Sequence, residues 1–319
     1  MHGTWELARP GCVPSDPFCC ELGYVGSWPN YDVFNWLPWT EKLYFWDFEK
    51  NYDVIPMSHF LLAIPDSVPV LLCAIYVVLA LGGRKFMESR KPFDLKYPLI
   101  AWNFLLFAFS AFGMLRMVPH VTMLIVNRGF KGFLTTRGGE QCAFGTCGLW
   151  VQLFLFSKVA EFIDTAFIVL RKKPLLFLHW YHHVTVMLFC WHAFRTESAA
   201  GLFFEAMNLC VHAVMYLYYG LAGFKIRLCQ PRYVTYLQLS QMFIGIALCV
   251  TQWYYRLTLP EGTFFLSESN LWAGAAMYFS YACLFLQYFF RRFGTKPKKT
   301  AKAVEQRNGS EAVEAKKYA

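Results

Sequence analysis

Seven long apolar runs separated by short polar loops constrain this chain more than any other feature. They lie near residues 64–83, 98–126, 148–170, 174–194, 199–223, 233–256 and 270–290. An apolar run of about 20 residues is long enough for an α-helix to cross the hydrocarbon core of a bilayer. Because only helices and closed barrels satisfy their backbone groups in lipid, the sequence predicts an all-α polytopic membrane protein with seven transmembrane helices.

The distribution of charge predicts the orientation of these helices. The chain has a formal net charge of +9, and 56% of its residues are hydrophobic. Twenty Lys and Arg residues fall in alternate loops and the C-terminal tail, whereas five fall in the loops of the opposite side. Since cytosolic loops carry the excess of Lys and Arg, the C-terminus is expected in the cytosol. Topology then accounts for the basic charge without a nucleic-acid partner.

Three regions follow from this topology. We expect a lumenal N-terminal segment at 1–60, a seven-helix membrane domain at 61–295 and a basic cytosolic tail at 296–319. Lys316 and Lys317 are the fourth and third residues from the end of the chain. This spacing resembles a dilysine signal for retrieval to the endoplasmic reticulum, with an ordinary basic tail as the alternative.

Polar side chains recur at helical spacing inside four of the apolar runs, so each set shares one helix face. The sets are Lys158, Glu161, Asp164 and Thr165; His179, His182 and His183; Asn208, His212, Met215, Tyr216 and Tyr219; and Thr235, Gln238 and Gln241. Three charges of one helix facing lipid would cost roughly 8–10 kcal/mol. Interhelical hydrogen bonds, at ~0.6 kcal/mol each, are the structural alternative. The cost predicts that these faces surround a wet cavity.

Metal chemistry is one interpretation of this cavity. Histidine boxes of the form HxxHH occur in membrane di-iron desaturases and hydroxylases, which use several such boxes. Here four histidines and two carboxylates are expected to converge, enough ligands for one metal ion and too few for two irons. They are His179, His182, His183, His212, Glu161 and Asp164.

Acyl transfer is the second interpretation. An imidazole can attack a thioester directly, because the thiolate that leaves comes from a thiol with a pKa of about 8.5. Amide and phenol groups, such as those of Asn208 and Tyr216, are suited to hold an oxyanion or enolate. A gap between helices would take a long acyl chain.

Four motifs in order resemble those of the ELO-type very-long-chain fatty acid elongases over about residues 60–295. They are Lys158-x-x-Glu161-x-x-Asp164-Thr165, His179-x-x-His182-His183, Asn208-x-x-x-His212-x-x-Met215-Tyr216-x-Tyr218-Tyr219 and Thr235-x-x-Gln238-x-x-Gln241. The resemblance implies seven helices, six of them in an inverted 3+3 barrel around an acyl tunnel with the first helix outside. Pro174, just before the histidine box, is typical of elongases of saturated and monounsaturated chains.

The resemblance also implies an activity. Such an enzyme condenses a long-chain acyl-CoA with malonyl-CoA, giving 3-oxoacyl-CoA, CO2 and free CoA, with no metal and no cofactor besides its substrates. Expected partners are a second copy of the chain and the 3-oxoacyl-CoA reductase, dehydratase and enoyl reductase of the cycle. The alternatives are a di-iron desaturase or hydroxylase and, third, a lipid-binding or transport protein.

The site residues expected on this basis fall into two groups. The catalytic group is His182, His183, His179, His212, Asn208, Glu161 and Asp164, and the substrate-binding group is Lys158, Tyr216, Tyr219, Gln238, Gln241, Arg171 and Lys172. His182 is favoured as the nucleophile that forms an acyl-imidazole, ahead of His212 and of Cys190. Coenzyme A is expected at the cytosolic end, where two basic loops meet: Arg171, Lys172 and Lys173, and Lys225, Arg227 and Arg232.

A disulfide is expected between Cys142 and Cys147, which share a loop on the oxidising side. Three other cysteines on that side could compete as partners: Cys12, Cys19 and Cys20. The remaining six are expected to be free thiols: Cys73, Cys190, Cys210, Cys229, Cys249 and Cys283.

Overall fold

The computed structural model describes residues 46–142 and 145–294, in which every regular element is an α-helix. In chain order these are α1 (Asp47–Lys50), α2 (Ile55–Ala63), α3 (Ser67–Met87), α4 (Lys96–Thr135), α5 (Gly138–Gln141), α6 (Gly145–Ala160), α7 (Phe162–Leu170), α8 (Phe177–Arg195), α9 (Ala199–Gly223), α10 (Pro231–Thr258) and α11 (Glu268–Phe293). The three N-terminal cysteines and the C-terminal dilysine pair lie outside the described residues.

Five of these helices are long and apolar enough to cross a membrane: α3, α4, α9, α10 and α11. They coincide with five of the seven predicted spans, so the chain is a multi-pass membrane protein. The predicted span at 148–170 consists of two helices, α6 and α7, of 16 and 9 residues. The predicted span at 174–194 is α8, whose 19 residues include four histidines that lower its hydropathy.

Helix α4 is the longest, with 40 residues. Pro119 lies inside it, where the sequence predicts a kink, but the non-helical backbone is at Gly129, with φ of 68°. Glycine has no Cβ and adopts this left-handed region readily. The spanning part of α4 therefore ends near Gly129, and a short helical segment continues to Thr135.

Close helix packing places the polar faces together. Helix α4 packs along α9, α10 packs along α11, and α8 lies against both α3 and α11. The contact of α4 with α9 is close, because a Cβ at Gly113 would lie 2.9 Å from the side chains of Leu209 and Trp150. Helices α7, α8, α9 and α10 thereby turn their polar residues toward one interior space.

One end of the bundle carries the disulfide. Cys142 and Cys147 are bonded, with their Cα atoms 5.3 Å apart, which confirms the predicted pairing. The six cysteines expected to be free are free in the structure. Lys96 begins helix α4 and Cys142 follows its far end, so the basic loops and the disulfide lie at opposite ends of the bundle.

A buried ion pair fastens the segment before α2 to the same end. Arg116, on α4, has its Nε 3.2 Å from Glu49 Oε1. The indole of Trp150 donates to the same carboxylate at 3.1 Å. Arg116 and Glu49 are each only 1% exposed. Helix α1 is thus held by a charge in α4 and an indole in α6.

Candidate active site

A cavity of about 670 Å³ lies between helices α4, α7, α8, α9, α10 and α11. We call it the large cavity. Of the fourteen site residues predicted from the sequence, twelve line it: Glu161, Asp164, Arg171, His179, His182, His183, Asn208, His212, Tyr216, Tyr219, Gln238 and Gln241. The polar faces therefore converge on one space. The two predicted residues that do not line it are Lys158 and Lys172.

Lys158 lies directly behind the cavity wall, where it links two helices. Its ammonium donates to Glu161 Oε1 at 2.7 Å and to Asn208 Oδ1 at 2.9 Å. His212 Nδ1 is 3.8 Å from the same carboxylate oxygen of Glu161. Lys158 itself is 1% exposed and also lies 4.0 Å from the centre of the Phe154 ring. One buried cation thus fixes a carboxylate and an amide at the cavity surface.

Asp164 is held by two donors from other helices. Trp102 on α4 donates through Nε1 to Oδ1 at 2.6 Å, and Tyr216 on α9 donates to Oδ2 at 2.9 Å. Trp102 was not predicted as a site residue, since a lone tryptophan in an apolar run carries no signal of its partner. Both carboxylate oxygens are therefore engaged before any substrate binds.

The histidine box is supported by α7 and α3. His179 Nε2 lies 2.9 Å from Thr165 Oγ1, which in turn lies 2.7 Å from the hydroxyl of Tyr76 on α3. The rings of His179 and His183 are 4.5 Å apart, and Nδ1 of His183 is buried without a hydrogen-bond partner in the described structure.

His182 has different neighbours from His183, because the two side chains point from different faces of α8. The two rings are nearly perpendicular, at 88°. Tyr281 on α11 lies 4.9 Å from the His182 ring, and its hydroxyl donates to the carbonyl of His182 at 3.1 Å. Tyr281 also lies outside every motif in the sequence. It fixes the backbone from which His182 enters the cavity.

The large cavity reaches the end of the bundle opposite the disulfide through a basic mouth formed by Lys96, Arg171 and Lys173. Lys172 points elsewhere: its ammonium donates to the carbonyls of Glu88 and Arg90, at 2.9 and 3.0 Å. Lys96 was not among the site residues predicted from the sequence. The basic loop that follows α9 does not contribute to the lining of the large cavity; its members are Lys225, Arg227 and Arg232.

A second, smaller cavity of about 80 Å³ continues from the first. Four residues line both: His182, Asn208, Gln241 and Met242. Beyond them the walls are mainly apolar and aromatic side chains of α6, α8, α9 and α11. Cys190, the predicted rival nucleophile, lines only this small cavity. Glu205 also lines it and was not predicted.

One group among the described residues has donor atoms at the spacing of metal ligands, and it lies outside the large cavity. Donor atoms of His120, Cys142 and Cys147 lie within 4.8 Å of one another. The two sulfurs are bonded to each other, so neither offers a thiolate to a metal ion. This group is far from the histidine box, on the disulfide end of the bundle.

Comparison with known proteins places these residues in a family context. Residues 62–302 match the ELO: GNS1/SUR4 family. "Putative fatty acid elongase 3" of Caenorhabditis elegans is 39% identical over 274 residues, covering 84% of this chain and 79% of the relative. "Very long chain fatty acid elongase 6" of Drosophila melanogaster is 38% identical over 245 residues, covering 74% and 76%. The Homo sapiens protein of the same name is 37% identical over 238 residues, covering 73% and 87%.

Proposed function

Because the chain belongs to the ELO: GNS1/SUR4 family, we propose that it is the condensing enzyme of fatty acid elongation. It joins a long-chain acyl-CoA to malonyl-CoA, with loss of CO2, and releases 3-oxoacyl-CoA and free CoA. One observation carries this proposal: a single cavity joins a basic mouth to a buried histidine cluster. The mouth suits the phosphates of coenzyme A, since Lys and Arg bind phosphate by charge and hydrogen bonding.

The residues of the site support a two-step route. The imidazole of His182 attacks the acyl thioester, the CoA thiolate leaves and takes up a proton, and an acyl-imidazole remains. Malonyl-CoA then binds and loses CO2, and the resulting enolate attacks the acyl carbonyl and displaces the imidazole. His182 suits the nucleophile because it lines both cavities and so lies where the two cavities meet.

Asn208 is the best-placed donor for the developing negative charge. Its amide oxygen accepts from Lys158, which leaves the amide N–H2 group free to donate into the cavity. Donors that are fixed before the reaction stabilise an enolate or oxyanion without reorganising. In this mechanism Lys158 is a positioning residue, and the His212 imidazole beside Glu161 is the group that exchanges protons with the leaving thiolate.

The alternative, a di-iron desaturase or hydroxylase, fits the geometry less well. The carboxylate of Glu161 is occupied by the Lys158 ammonium at 2.7 Å, and that of Asp164 accepts from Trp102 and Tyr216. A cation bonded to one carboxylate competes with a metal ion for the same oxygen. The relatives named as elongases agree with the condensing reaction. We propose that the enzyme uses no cofactor besides acyl-CoA and malonyl-CoA.

For the membrane arrangement we propose seven spans. Helices α6 and α7 together form one further span and α8 another, and α4 to α11 form the inverted 3+3 barrel. The supporting observation for the outer position of α3 is its largely exposed apolar surface. For the domains we propose a lumenal segment at 1–60, a membrane domain at 61–295 and a cytosolic tail at 296–319.

We place the protein in the endoplasmic reticulum with a cytosolic C-terminus. The disulfide at one end suits an oxidising lumen, and the basic mouth at the other end suits the cytosolic face. Lys316 and Lys317 would serve as the retrieval signal. The expected homodimer and the association with 3-oxoacyl-CoA reductase, dehydratase and enoyl reductase rest on the family resemblance.

The proposed function is tested with purified protein, a panel of acyl-CoAs and labelled malonyl-CoA. We expect labelled 3-oxoacyl-CoA from the wild type, and without malonyl-CoA we expect free CoA and an acyl group on the His182 peptide by mass spectrometry. His182→Ala should abolish both, whereas Cys190→Ala should retain them. An active His182→Ala together with an inactive Cys190→Ala would reverse the assignment of the nucleophile. Failure of the wild type to form product from any acyl-CoA would reject the activity.

A further inference from the structure

Glu205 is a buried carboxyl that the condensation does not use. It lies on α9 and is 4% exposed. Its Oε1 is buried without a hydrogen-bond partner in the described structure. An acceptor that has lost water and gained no protein partner is unfavourable, so such groups usually meet a ligand or another donor.

Glu205 lines the small cavity and not the large one. Glu205, Asn208 and His212 follow one face of α9, with Glu205 about 4.5 Å along the helix axis from Asn208 and about 10.5 Å from His212. Ser198, just before α9, also lines the small cavity. Glu205 therefore lies along the small cavity, between Asn208, where the two cavities meet, and Ser198.

Neighbouring polar groups do not satisfy this carboxyl. The hydrogen bonds of the buried Lys158 ammonium go to Glu161 and Asn208. The hydroxyl of Tyr281, which lines the same cavity, is engaged by Thr185 and by the carbonyl of His182. Oε1 of Glu205 is therefore open to a hydrogen-bond donor on a molecule that enters the cavity.

We propose that Glu205 makes this elongase selective for acyl chains that carry a hydroxyl group a few carbons from the thioester. This inference rests on the proposed function, because it assumes that the acyl chain enters the small cavity. A substrate hydroxyl can donate a hydrogen bond to Oε1. It can also accept a hydrogen bond from the carboxyl when the carboxyl is protonated. An unsubstituted methylene chain leaves the carboxyl unpaired, and a site that loses a buried hydrogen bond discriminates strongly against that substrate.

The test is a competition between acyl-CoAs of one chain length. One is unsubstituted, and the others carry a single hydroxyl that moves carbon by carbon along the chain. With the wild type we expect kcat/KM for one or two adjacent hydroxyl positions to exceed that for the unsubstituted chain by about tenfold. With Glu205→Met, which keeps the length of the side chain and removes its acceptors, we expect this preference to disappear and the unsubstituted chain to be elongated at least as fast as before.

Two further variants complete the design. Glu205→Gln keeps a donor and an acceptor and should retain much of the hydroxyl preference. Glu261→Met makes the same chemical change at an exposed carboxylate and should leave the preference at the wild-type value. The inference is overturned if no hydroxyl position is favoured by the wild type, or if Glu205→Met keeps the preference. If the wild type elongates no acyl-CoA at all, the proposed function fails, and the two failures are thereby distinguished.

Discussion

At the scale of single residues, Lys158 is the charge on which two active-site groups depend. Lys158→Met leaves the Glu161 carboxylate buried without its cation, which typically costs about 3–5 kcal/mol of stability. It also frees the amide of Asn208 to rotate. We expect a lower unfolding temperature in detergent and a loss of condensation rate of at least a hundredfold, because the amide that we propose as the oxyanion donor is then no longer fixed.

The double variant Lys158→Met with Glu161→Gln separates these effects. Removing both charges should restore much of the stability without restoring the rate, since the amide of Asn208 remains unfixed. Thermal unfolding and the condensation rate are measured on the same preparations. An unchanged unfolding temperature for Lys158→Met would show that the buried pair makes no net contribution.

Two adjacent basic residues are expected to differ in their effect on substrate binding. Arg171 lines the basic mouth, whereas the Lys172 ammonium is held by the carbonyls of Glu88 and Arg90. Arg171→Met should therefore raise the KM for acyl-CoA about fivefold to tenfold with little change in kcat. Lys172→Met, as the matched control, should change KM less than twofold. Equal effects of the two would indicate that the mouth acts only through its overall charge.

At the scale of helices, the contact between α4 and α9 depends on a small residue. Gly113→Ala introduces a Cβ 2.9 Å from Leu209 and Trp150, and overpacking of this kind costs about 1–3 kcal/mol. Gly82→Ala, on α3, introduces a Cβ with no atom within 4 Å and should be neutral. Unfolding temperatures in one detergent compare the two. Equal temperatures would mean that α4 moves away from α9 without cost.

The spacing of polar residues along the helices explains why part of the site could be predicted from the sequence. Charged and polar residues inside apolar helices have to face an interior, so their spacing predicted eleven of the twelve side chains that line the large cavity, and the twelfth, Arg171, was predicted from its basic loop. Lys172 was predicted from its place in a basic loop. Its backbone has a φ of 54°, and its ammonium donates to carbonyls in the loop after α3. Neither feature can be predicted from the basic composition of the loop.

At the scale of the whole molecule, the two ends of the bundle should differ in access. We expect a membrane-impermeant maleimide to modify Cys229 in sealed microsomes, because this cysteine lies in the basic loop after α9. Cys142 and Cys147 should react only after permeabilisation, reduction and unfolding, because both are buried as well as bonded to each other. Cys229→Ser is the control for the labelled site. Protection of Cys229 until the vesicles are opened would invert the orientation.

Contacts between distant helices are the part that the sequence did not predict. Trp102 donates to Asp164 across 62 residues, and Tyr281 reaches the histidine box across 99. Neither residue belongs to a motif, and an aromatic residue in an apolar run is typical of any membrane helix. Helix–helix contacts choose these partners, so they follow from the assembled bundle rather than from a local pattern.

The buried pair of Glu49 and Arg116 has a consequence for synthesis of the chain. Glu49 leaves the ribosome 67 residues before Arg116 and 101 residues before Trp150, which both bind its carboxylate. At translation rates of about 5–20 residues per second, the acidic segment waits on the order of 5–20 s for its last partner. During that interval it has to remain soluble and undegraded beside an unfinished bundle. The Glu49 segment can therefore dock only late, after helices α4 and α6 have been inserted and packed.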